Sequence, residues 1–477
     1  MTDQAEAARD LRMSGLPRLS ETSGFLADIR QGWRTEKRDP AVVSGAAAAA
    51  AAHRERLAAA LPGRVIVVGA GRSPVRNDDC NYEFRAHSDF LWLIGAPIES
   101  AVVVIRTTGG RPDATLYLPP PAKPGSAGFF SDIIHGELWT GPVPGIADWA
   151  DALGLDVRPL DDVAGLLESE PSVLVGGFVD EGLGVIRPVG DTTLGETLSR
   201  LRMIKDEWEI AQLRSAVDIT IDGFRAVGAE LPTAVRGGGE RWLQGTFNRH
   251  ARTFGNDVGY GTIVATGRNA AVLHWTRCDS ALGERDALLL DMGVEGKAFY
   301  TADVTRTIPV AGEFTPEQRM VHDLVERSHR AGLDAVRPGR TFQDFHHRSM
   351  EVIAQGLADW GMLPVSVDEA LSRDGQQHRR FIVCGIGHHL GLDVHDCSTS
   401  TTADYQDAAL QPGMVLTVEP GLYFHANDEQ VPPELRGIGV RIEDDLVVTE
   451  SGIDVLSDAL PIDAAGLERW TSEQLRG

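Results

Sequence analysis

The sequence is short of cysteine and of positive charge. Only four of its 477 residues are cysteines (Cys80, Cys278, Cys384 and Cys397), and none belongs to a C-x-x-C pair. Four are too few for a disulfide framework in a chain of this length, so we expect a reducing compartment, the cytoplasm. Lysine and arginine total 45 against 69 aspartates and glutamates, a formal net charge of −24. This charge argues against nucleic acid or an anionic membrane surface as a partner.

Targeting, membrane and nucleotide-binding motifs are also missing. The N-terminal stretch carries charged residues throughout and no apolar core, so we expect no signal peptide. No run approaches the roughly 18 apolar residues of a membrane span. No G-x-G-x-x-G follows a predicted strand and no Walker loop occurs, so a nucleotide cofactor is not indicated. The composition, with 42% hydrophobic and 24% charged residues, is typical of a globular protein. The length of the chain predicts two domains.

The hydrophobic pattern changes near residue 197. Residues 1–197 predict an α/β domain, with strands at 64–69, 101–105, 114–118 and 172–175 and helices at 46–62 and 146–153. Residues 198–477 predict an α+β domain with a mostly antiparallel sheet, because long helices alternate with short strands joined as hairpins. Its predicted helices are 206–227, 238–254, 316–335 and 341–359, and its predicted strands are 262–266, 286–291, 301–310, 414–418 and 440–449. Asp206 and Glu209 have capping-box spacing at the start of the first helix.

Two aspartates lie in the predicted hairpin of residues 288–307. Asp291 ends an apolar run, Asp303 lies in a second strand-like segment, and Gly293 and Gly296 between them favour a turn. If the hairpin turns about Lys297, the two aspartates face each other. Their even separation puts both on one face, where like charges destabilise a sheet unless a cation lies between them. The structural alternative is that one aspartate caps a turn and the other is solvated.

Four further segments place polar side chains at strand ends or beside glycines. They are NAAVLHW around His274, GHHLGLDVHD around His388 and His395, LTVEPG around Glu419, and GVRIEDD, in which alternation places Arg441, Glu443 and Asp445 on one face of a strand and Val440, Ile442 and Asp444 on the other. Each segment alone has a structural reading: a core or exposed histidine, a glutamate before a turn, or a surface Arg–Glu pair. The group of segments is harder to explain in that way.

Five of these side chains form a set suited to metal ions: Asp291, Asp303, His388, Glu419 and Glu443. Four carboxylates and one imidazole are too anionic for a structural zinc and too many for one magnesium. They suit two divalent ions about 3.5 to 4 Å apart, which polarise a carbonyl and deliver a bridging hydroxide. We expect manganese, with cobalt, zinc and iron as alternatives.

These motifs resemble the aminopeptidase P branch of the pita-bread metallopeptidases. The resemblance is specific in DVTRT at Asp303, HHLGLDVHD, LTVEPGLY and GIGVRIEDD, and is weaker in RNDDCNYEFR and SDFLWLIG of the N-terminal domain. It implies a creatinase-type domain over 1–197, a pita-bread catalytic domain with a curved sheet over 198–477, and a homodimer or homotetramer. It also implies that Asp303 and Glu443 bridge two ions, Asp291 chelates one, and His388 with Glu419 completes the other.

The resemblance also implies roles around the ions. His274 and His395 would contact substrate and assist proton transfer, Arg441 would support the ligands, and Glu419 is a candidate to shuttle the proton. Two departures stand out. The family usually separates its first two aspartates by 11 residues and this chain by 12, so one residue is added in the hairpin. Cys384 occupies a position that is often histidine, and we expect a buried, inert thiol there rather than a metal ligand or catalytic group.

The activity implied is hydrolysis of the bond between an N-terminal residue and a following proline, Xaa-Pro, in proline-containing peptides. Two alternatives stay open at this point. A prolidase would accept Xaa-Pro dipeptides only, and a metal-free peptide-binding protein could use the same fold without catalysis.

Overall fold

The computed structural model describes residues 17–34, 36–78, 80–109, 111–163, 173–179 and 192–476. Tertiary contacts divide the chain into two compact units, Met1–Val189 and Gly190–Gly477. Residue 197, our predicted boundary, lies inside the helix Thr193–Met203, and the division into 1–197 and 198–477 stays a prediction. Ser172 of a predicted strand and residues 182–191 of the loop predicted at 182–195 lie outside the described residues. The loop prediction was wrong for 193–195, which begin the helix Thr193–Met203. Within the described ranges, no helix combines the length and apolarity needed to cross a bilayer.

The first unit contains a five-stranded mixed sheet with helices, which agrees with the predicted α/β class, although the edge strand Asp156–Pro159 was not predicted. Its strand order is Asp156–Pro159, Arg111–Leu118, Val102–Gly109, Val65–Ala70 and Val173–Phe178, with parallel pairs at the two edges and antiparallel pairs inside. All six residues of Val65–Ala70 are buried, as expected for a central strand. The other described elements are a small hairpin, Val75–Asn77 with Cys80–Asn81, and the helices Ser23–Asp28, Ala46–Ala60, Ser88–Ile94, Gly128–Ser131, Glu137–Thr140 and Ile146–Leu153.

Five of the helices described in the second unit begin at a residue whose side chain caps the helix. Asp206 and Glu209 form the predicted capping box, with bonds of 2.9 Å in both directions. Thr315 caps the next long helix in the same way, with Pro316 in the first turn, where its missing N–H costs nothing. The helices are Thr193–Met203, Glu207–Ala229, Leu231–Thr233, Gly239–Phe254, Pro316–Ala335, Phe342–Asp359, Val367–Leu371 and Ala464–Gln474.

Every strand pairing described in the second unit is antiparallel. Val304–Pro309, Ala287–Met292 and Ile263–Thr266 form one three-stranded sheet, and Val415–Val418, Asp444–Val448 and Ile453–Val455 form another. Gly421–Tyr423 pairs with Gly439–Arg441, and Asp257–Val258 pairs with Val294–Glu295. An isolated bridge between Thr305 and Glu443 joins the two three-stranded sheets. The antiparallel α+β architecture therefore agrees with the prediction, while the curvature of the sheet stays a prediction.

Two sequence predictions need correction. The strand predicted at 440–449 is interrupted at Ile442 and Glu443, where Ile442 N–H turns to donate to the carbonyl of Pro420 at 3.3 Å. The register of the aspartate hairpin was also wrong, because Asp291 pairs with Thr305 and Asp303 precedes the second strand. This shift by two residues leaves the shared face unchanged.

The same hairpin register continues from Ala287 opposite Pro309 to Glu295 opposite Thr301. The residue that is added between Asp291 and Asp303 is therefore accommodated in the turn 296–300 and not in a bulge beside Asp303. There the N–H of Gly296 donates to the carbonyl of Tyr300 at 2.9 Å, and Phe299 adopts a left-handed φ of 70°. The turn thus keeps both aspartates in regular backbone geometry.

Candidate metal centre

Three acidic or imidazole side chains surround one point at the end of the antiparallel strands. One ligand atom each from Asp303, His388 and Glu443 lies within 4.8 Å of the others. Nε2 of His388 is 3.3 Å from Oδ2 of Asp303 and 3.5 Å from Oε1 of Glu419. Donor atoms bound 2.0 to 2.2 Å from a shared ion are separated by about 3 to 3.5 Å. The spacing is therefore that of ligands around a common cation.

Asp291 lies at the other end of this group and is held from two sides. Oδ1 accepts a 2.6 Å hydrogen bond from the hydroxyl of Tyr260, and Oδ2 accepts one from the guanidinium of Arg441. Arg441 also donates to the hydroxyl of Tyr423 at 2.7 Å and to Oγ1 of Thr305 at 3.2 Å. These bonds fix the orientation of the carboxylate, as hydrogen bonds to metal ligands commonly do.

Backbone pairing places His388 and Glu419 on adjacent segments. The amide of Thr417 donates to the carbonyl of His388 at 2.9 Å, and the amide of Glu419 donates to that of Ile386 at 2.8 Å. Gly387 allows this approach, since a Cβ there would lie 2.2 Å from the carbonyl oxygen of Thr417. Nδ1 of His388 is 3.1 Å from the carbonyl oxygen of His389, which leaves Nε2 directed at the carboxylates.

Asp303 and Glu443 are oriented by neighbours that the sequence reading did not identify. Asp445 accepts the amide N–H of Asp303 at 2.9 Å, and Oγ1 of Thr305 donates to Oε2 of Glu443 at 2.7 Å. The predicted strand alternation did place Asp445 on the same face as Arg441 and Glu443. No sequence signal separated its role from that of an ordinary buried acid.

The site carries an excess of negative charge. Burial and the carboxylates of Asp303, Glu419 and Asp291 raise the pKa of Glu443 well above its usual range. Burial is also the main cause that raises the pKa of Glu419 to about 7, although His388 acts against it. Burial raises the pKa of Asp291 despite the adjacent Arg441. For His388, burial favours the neutral ring, but Asp303 and Glu419 together raise its pKa to about 9.

The donor set fits divalent cations. Oε1 of Glu443 is buried and has no hydrogen-bond partner among the described atoms, which normally costs stability. Carboxylate oxygens with one imidazole suit manganese, iron, cobalt and zinc, and cations would relieve both the mutual repulsion and the unpaired oxygen. The structure brings together the five residues selected from the sequence. Their assignment as ligands stays a proposal.

The remaining predicted residues surround this group. The rings of His388 and His395 meet edge to face, with centroids 4.4 Å apart. His395 and His274 are both exposed. Burial lowers the pKa of His395, and the adjacent His388 lowers it further. Cys384 is half-buried, and burial and the charge of Glu419 raise the pKa of its thiol, which favours an inert side chain.

Tyr260 is the clearest functional candidate that sequence reasoning missed. It is half-buried, and its hydroxyl donates to Oδ1 of Asp291 at 2.6 Å. Burial and the charge of Asp291 raise its pKa well above the usual value, so it stays protonated and donates. In the sequence it stands alone between two glycines, with no motif to distinguish it from a loop tyrosine.

Comparison with known proteins identifies the family. The model of Metallopeptidase family M24 matches residues 211–450, and that of Aminopeptidase P, N-terminal domain, matches residues 50–172. Xaa-Pro aminopeptidase 2 of Streptomyces coelicolor is 43% identical over 451 residues, 93% of this chain and 94% of that protein. The Xaa-Pro aminopeptidase of Escherichia coli K12 is 31% identical over 422 residues, 83% of this chain and 91% of that protein.

Solved structures agree with these relatives. Aminopeptidase P from E. coli with the inhibitor Pro-Leu superposes with a TM-score of 0.80 at 28% identity, covering 92% of this chain and 100% of that one. Aminopeptidase PepP of Pseudomonas aeruginosa gives 0.77 at 28% identity, covering 90% and 99%. The chain therefore belongs to metallopeptidase family M24, in its aminopeptidase P branch, and is a metal-dependent aminopeptidase.

Proposed function

We propose that the protein hydrolyses the N-terminal Xaa-Pro bond of peptides at a centre that holds two divalent metal ions. The observation that carries this proposal is the cluster of four carboxylates around His388, whose negative charge exceeds that of its fixed cationic partners. The names of the relatives, Xaa-Pro aminopeptidases, support the choice of bond. Manganese is our first choice of ion, with cobalt, zinc and iron as alternatives.

Asp303 and Glu443 would be shared between the ions, Asp291 would complete one site, and His388 with Glu419 the other. When bound, such a pair supplies Lewis-acid polarisation of the scissile carbonyl and an activated water for hydrolysis. Glu419 lies half-buried at the strand end, within 3.5 Å of His388. From there its carboxylate would take the proton of the attacking water and pass it to the departing proline nitrogen.

His274 and His395 would bind the proline side of the substrate. Both are exposed, and the ring of His395 meets that of His388 with centroids 4.4 Å apart, which is a position suited to a group that meets an incoming peptide. A neutral imidazole can donate a hydrogen bond to the substrate carbonyl, and the lowered pKa of His395 keeps its ring neutral. Arg441 would hold Asp291 in place rather than contact the substrate.

A tertiary amide needs such a dedicated site. Proline has no amide hydrogen, so an aminopeptidase that binds its substrate through that hydrogen acts poorly on Xaa-Pro bonds. The bond can instead be recognised by the shape of the proline ring and by donors to its carbonyl. We further keep as predictions a cytoplasmic location, consistent with four free cysteines, and assembly as a homodimer or homotetramer.

The test is hydrolysis of a peptide panel by enzyme that has been chelated and then reloaded with one metal at a time. We expect cleavage of Gly-Pro-Yaa peptides and the highest activity with manganese. Efficient cleavage of Gly-Pro dipeptides alone would instead identify a prolidase. If no divalent ion binds and no metal restores activity, the protein is a peptide-binding module on this fold.

A further inference from the structure

Glu240 is a buried carboxylate outside the proposed ligand set. It lies in the first turn of the helix Gly239–Phe254, and its side chain is 0% exposed. Four N–H groups donate to its two oxygens: Oε1 accepts from Thr266 N at 2.8 Å and Asn269 Nδ2 at 2.9 Å, and Oε2 accepts from Trp275 Nε1 at 2.8 Å and Ser280 N at 3.0 Å. The helix N-terminus adds a favourable dipole.

All four donors belong to the segment that carries His274. Thr266 and Ser280 mark its two ends, while Asn269 and Trp275 lie inside it. His274 itself is exposed, so contacts of its own ring do little to restrain it. The segment from 272 to 280 contains no helix or strand that would otherwise hold it. One carboxylate therefore supplies much of the polar anchoring on both sides of this histidine.

Trp275 transmits this anchoring to the neighbouring residue. Its indole is 7% exposed and packs in an apolar cluster with Ile263, Leu289 and Tyr423. The guanidinium of Arg277 covers its ring at 4.2 Å from the centroid. With its ring packed and its N–H bonded to Glu240, Trp275 has little freedom to rotate, which restricts the backbone of His274 next to it.

The other side of the segment is held against the strand that carries Arg441. Gly439 lies so close to the segment that an added Cβ would be 1.9 Å from the carbonyl oxygen of Ala270. The segment is thus fixed between the helix of Glu240 and the strand of Arg441. Arg441 holds Asp291 in place. We therefore expect a change at Glu240 to alter the placement of His274 relative to Asp291.

We propose that Glu240 is a positioning residue that sets the location of His274 for substrate binding. This inference rests on the proposed function, in which His274 contacts the peptide. Glutamine cannot replace Glu240 without loss, because its amide nitrogen would face N–H donors instead of accepting from them. A misplacement of about 1 Å can reduce catalysis by about 100-fold.

The test is a double-mutant cycle in metal-loaded enzyme. Glu240→Gln should reduce kcat/KM for a Gly-Pro-Yaa peptide by about 10- to 100-fold, with metal content unchanged. In a His274→Ala background the same substitution should cost less than about threefold, because the residue to be positioned is gone. Equal losses in both backgrounds would overturn the inference. The exposed Glu473→Gln on the C-terminal helix is the matched control and should leave both values unchanged.

The failure of the two proposals can be distinguished. If His274→Ala alone leaves kcat/KM unchanged, the substrate role of His274 in the proposed function is wrong, and with it the reason for positioning. If His274→Ala is damaging but Glu240→Gln is silent, only the inference about Glu240 is refuted.

Hydrogen exchange supplies a readout besides activity. Glu240→Gln should speed amide exchange in residues 266–280, where the amides of Thr266 and Ser280 donate to Glu240. Unchanged exchange in this segment contradicts the anchoring. If Glu240→Gln does not fold, Trp275→Phe removes one of the four donors and retains the ring. Trp275→Phe should then lower kcat/KM by a smaller factor, and only when His274 is present. An equal loss of kcat/KM in the His274→Ala background would again refute the proposal.

Discussion

Two buried histidine–carboxylate pairs lie on opposite faces of the segment that carries Glu443 and Asp444. On one face, Nε2 of His388 is 3.3 Å from Oδ2 of Asp303, and on the other, Nε2 of His329 is 3.3 Å from Oδ2 of Asp444. The two separations are the same, but the rings behave in opposite ways. The pKa of His388 is raised to about 9, whereas that of His329 is lowered to about 4.

The difference lies in the other partners of each carboxylate. Burial favours the neutral form of both rings. Asp444 also accepts from Arg306 at 2.6 Å and from the hydroxyl of Ser457 at 2.6 Å, so its charge is already balanced. Arg306 and His329 lower the pKa of Asp444 although burial raises it. Around His388 the carboxylates of Asp303 and Glu419 outweigh burial and raise the pKa of the ring.

A pair distance alone therefore does not distinguish a structural carboxylate from a ligand. The Asp444 face contains a buried fixed cation, since Arg306 is 1% exposed and donates to Asp444 and to the carbonyls of Glu443 and Pro461. The Asp303 face keeps an unpaired buried oxygen on Glu443 and several carboxylates with raised pKa values. In the proposed function, the Asp444 face stabilises the fold, whereas the Asp303 face binds cations at a cost in stability.

The largest expected effect is on the Asp303 face. Asp303→Asn should remove bound divalent ions and lower kcat/KM by about a thousandfold or more, because both proposed ion sites lose a shared ligand. The metal-free protein should melt at the same temperature or higher, since one of several mutually repelling charges is gone. Metal analysis, peptide kinetics and thermal melting of the metal-free protein check this. Activity within about tenfold of the parent would contradict the paired site.

The matched substitution on the other face should lower stability and leave metal binding unchanged. Asp444→Asn leaves the buried Arg306 without its carboxylate, which should destabilise the second unit by about 3 kcal/mol. Bound metal and kcat of the folded protein should stay close to the parent values. Thermal melting with and without metal measures the first effect, and metal analysis measures the second. Unchanged melting together with lost metal would place Asp444 in the metal centre and end the distinction between the faces.

Substitution of Tyr260 tests how much a single hydrogen bond to the proposed ligand Asp291 contributes to metal affinity. Asp291 is intermediate between Asp444, whose pKa is lowered, and Glu443, whose pKa is raised well above its usual range. It has a fixed cation beside it, Arg441, and its pKa is still raised. Tyr260→Phe removes only the 2.6 Å bond to Asp291 and should lower metal affinity or kcat/KM by about 10- to 100-fold. Metal titration of chelated enzyme checks this. A control is Tyr82→Phe, since Tyr82 is exposed in the first unit and should be silent.

Much of the fold could be predicted from local patterns. The helix at 316–335 has its bounds as predicted, because the Thr315 cap and Pro316 define its start in the sequence. The hairpin register was wrong because turn geometry depends on Phe299, whose left-handed φ no sequence pattern indicates. The interruption at Glu443 depends on Thr305 and Pro420, which are distant in sequence.

The site divides in the same way. Residues in dense motifs, such as His388 and Glu419, could be selected from the sequence because several polar groups coincide at strand ends. Tyr260 and Glu240 could not, because their importance comes from partners 31 and 26 or more residues away. Alternation assigned Glu443 and Asp444 to opposite faces of the strand. The sequence did not indicate which of these faces has a fixed cation, because that depends on the packing of Arg306.

The smallest expected effect concerns the pH dependence of the Asp444 face. The pKa of His329 is about 4 in the folded protein, below the usual 6.5, so between these values the unfolded chain binds the proton more readily. Its contribution to stability is therefore complete above pH 6.5 and is lost as the pH falls toward 4, by about 1 to 2 kcal/mol near pH 5. His329→Gln cannot titrate there, so melting of the metal-free variant should depend less steeply on pH than melting of the parent. If melting of the parent and of the variant depends equally steeply on pH, His329 is already charged in the folded protein. The two histidine–carboxylate pairs would then not have the opposite pKa shifts that their other partners produce.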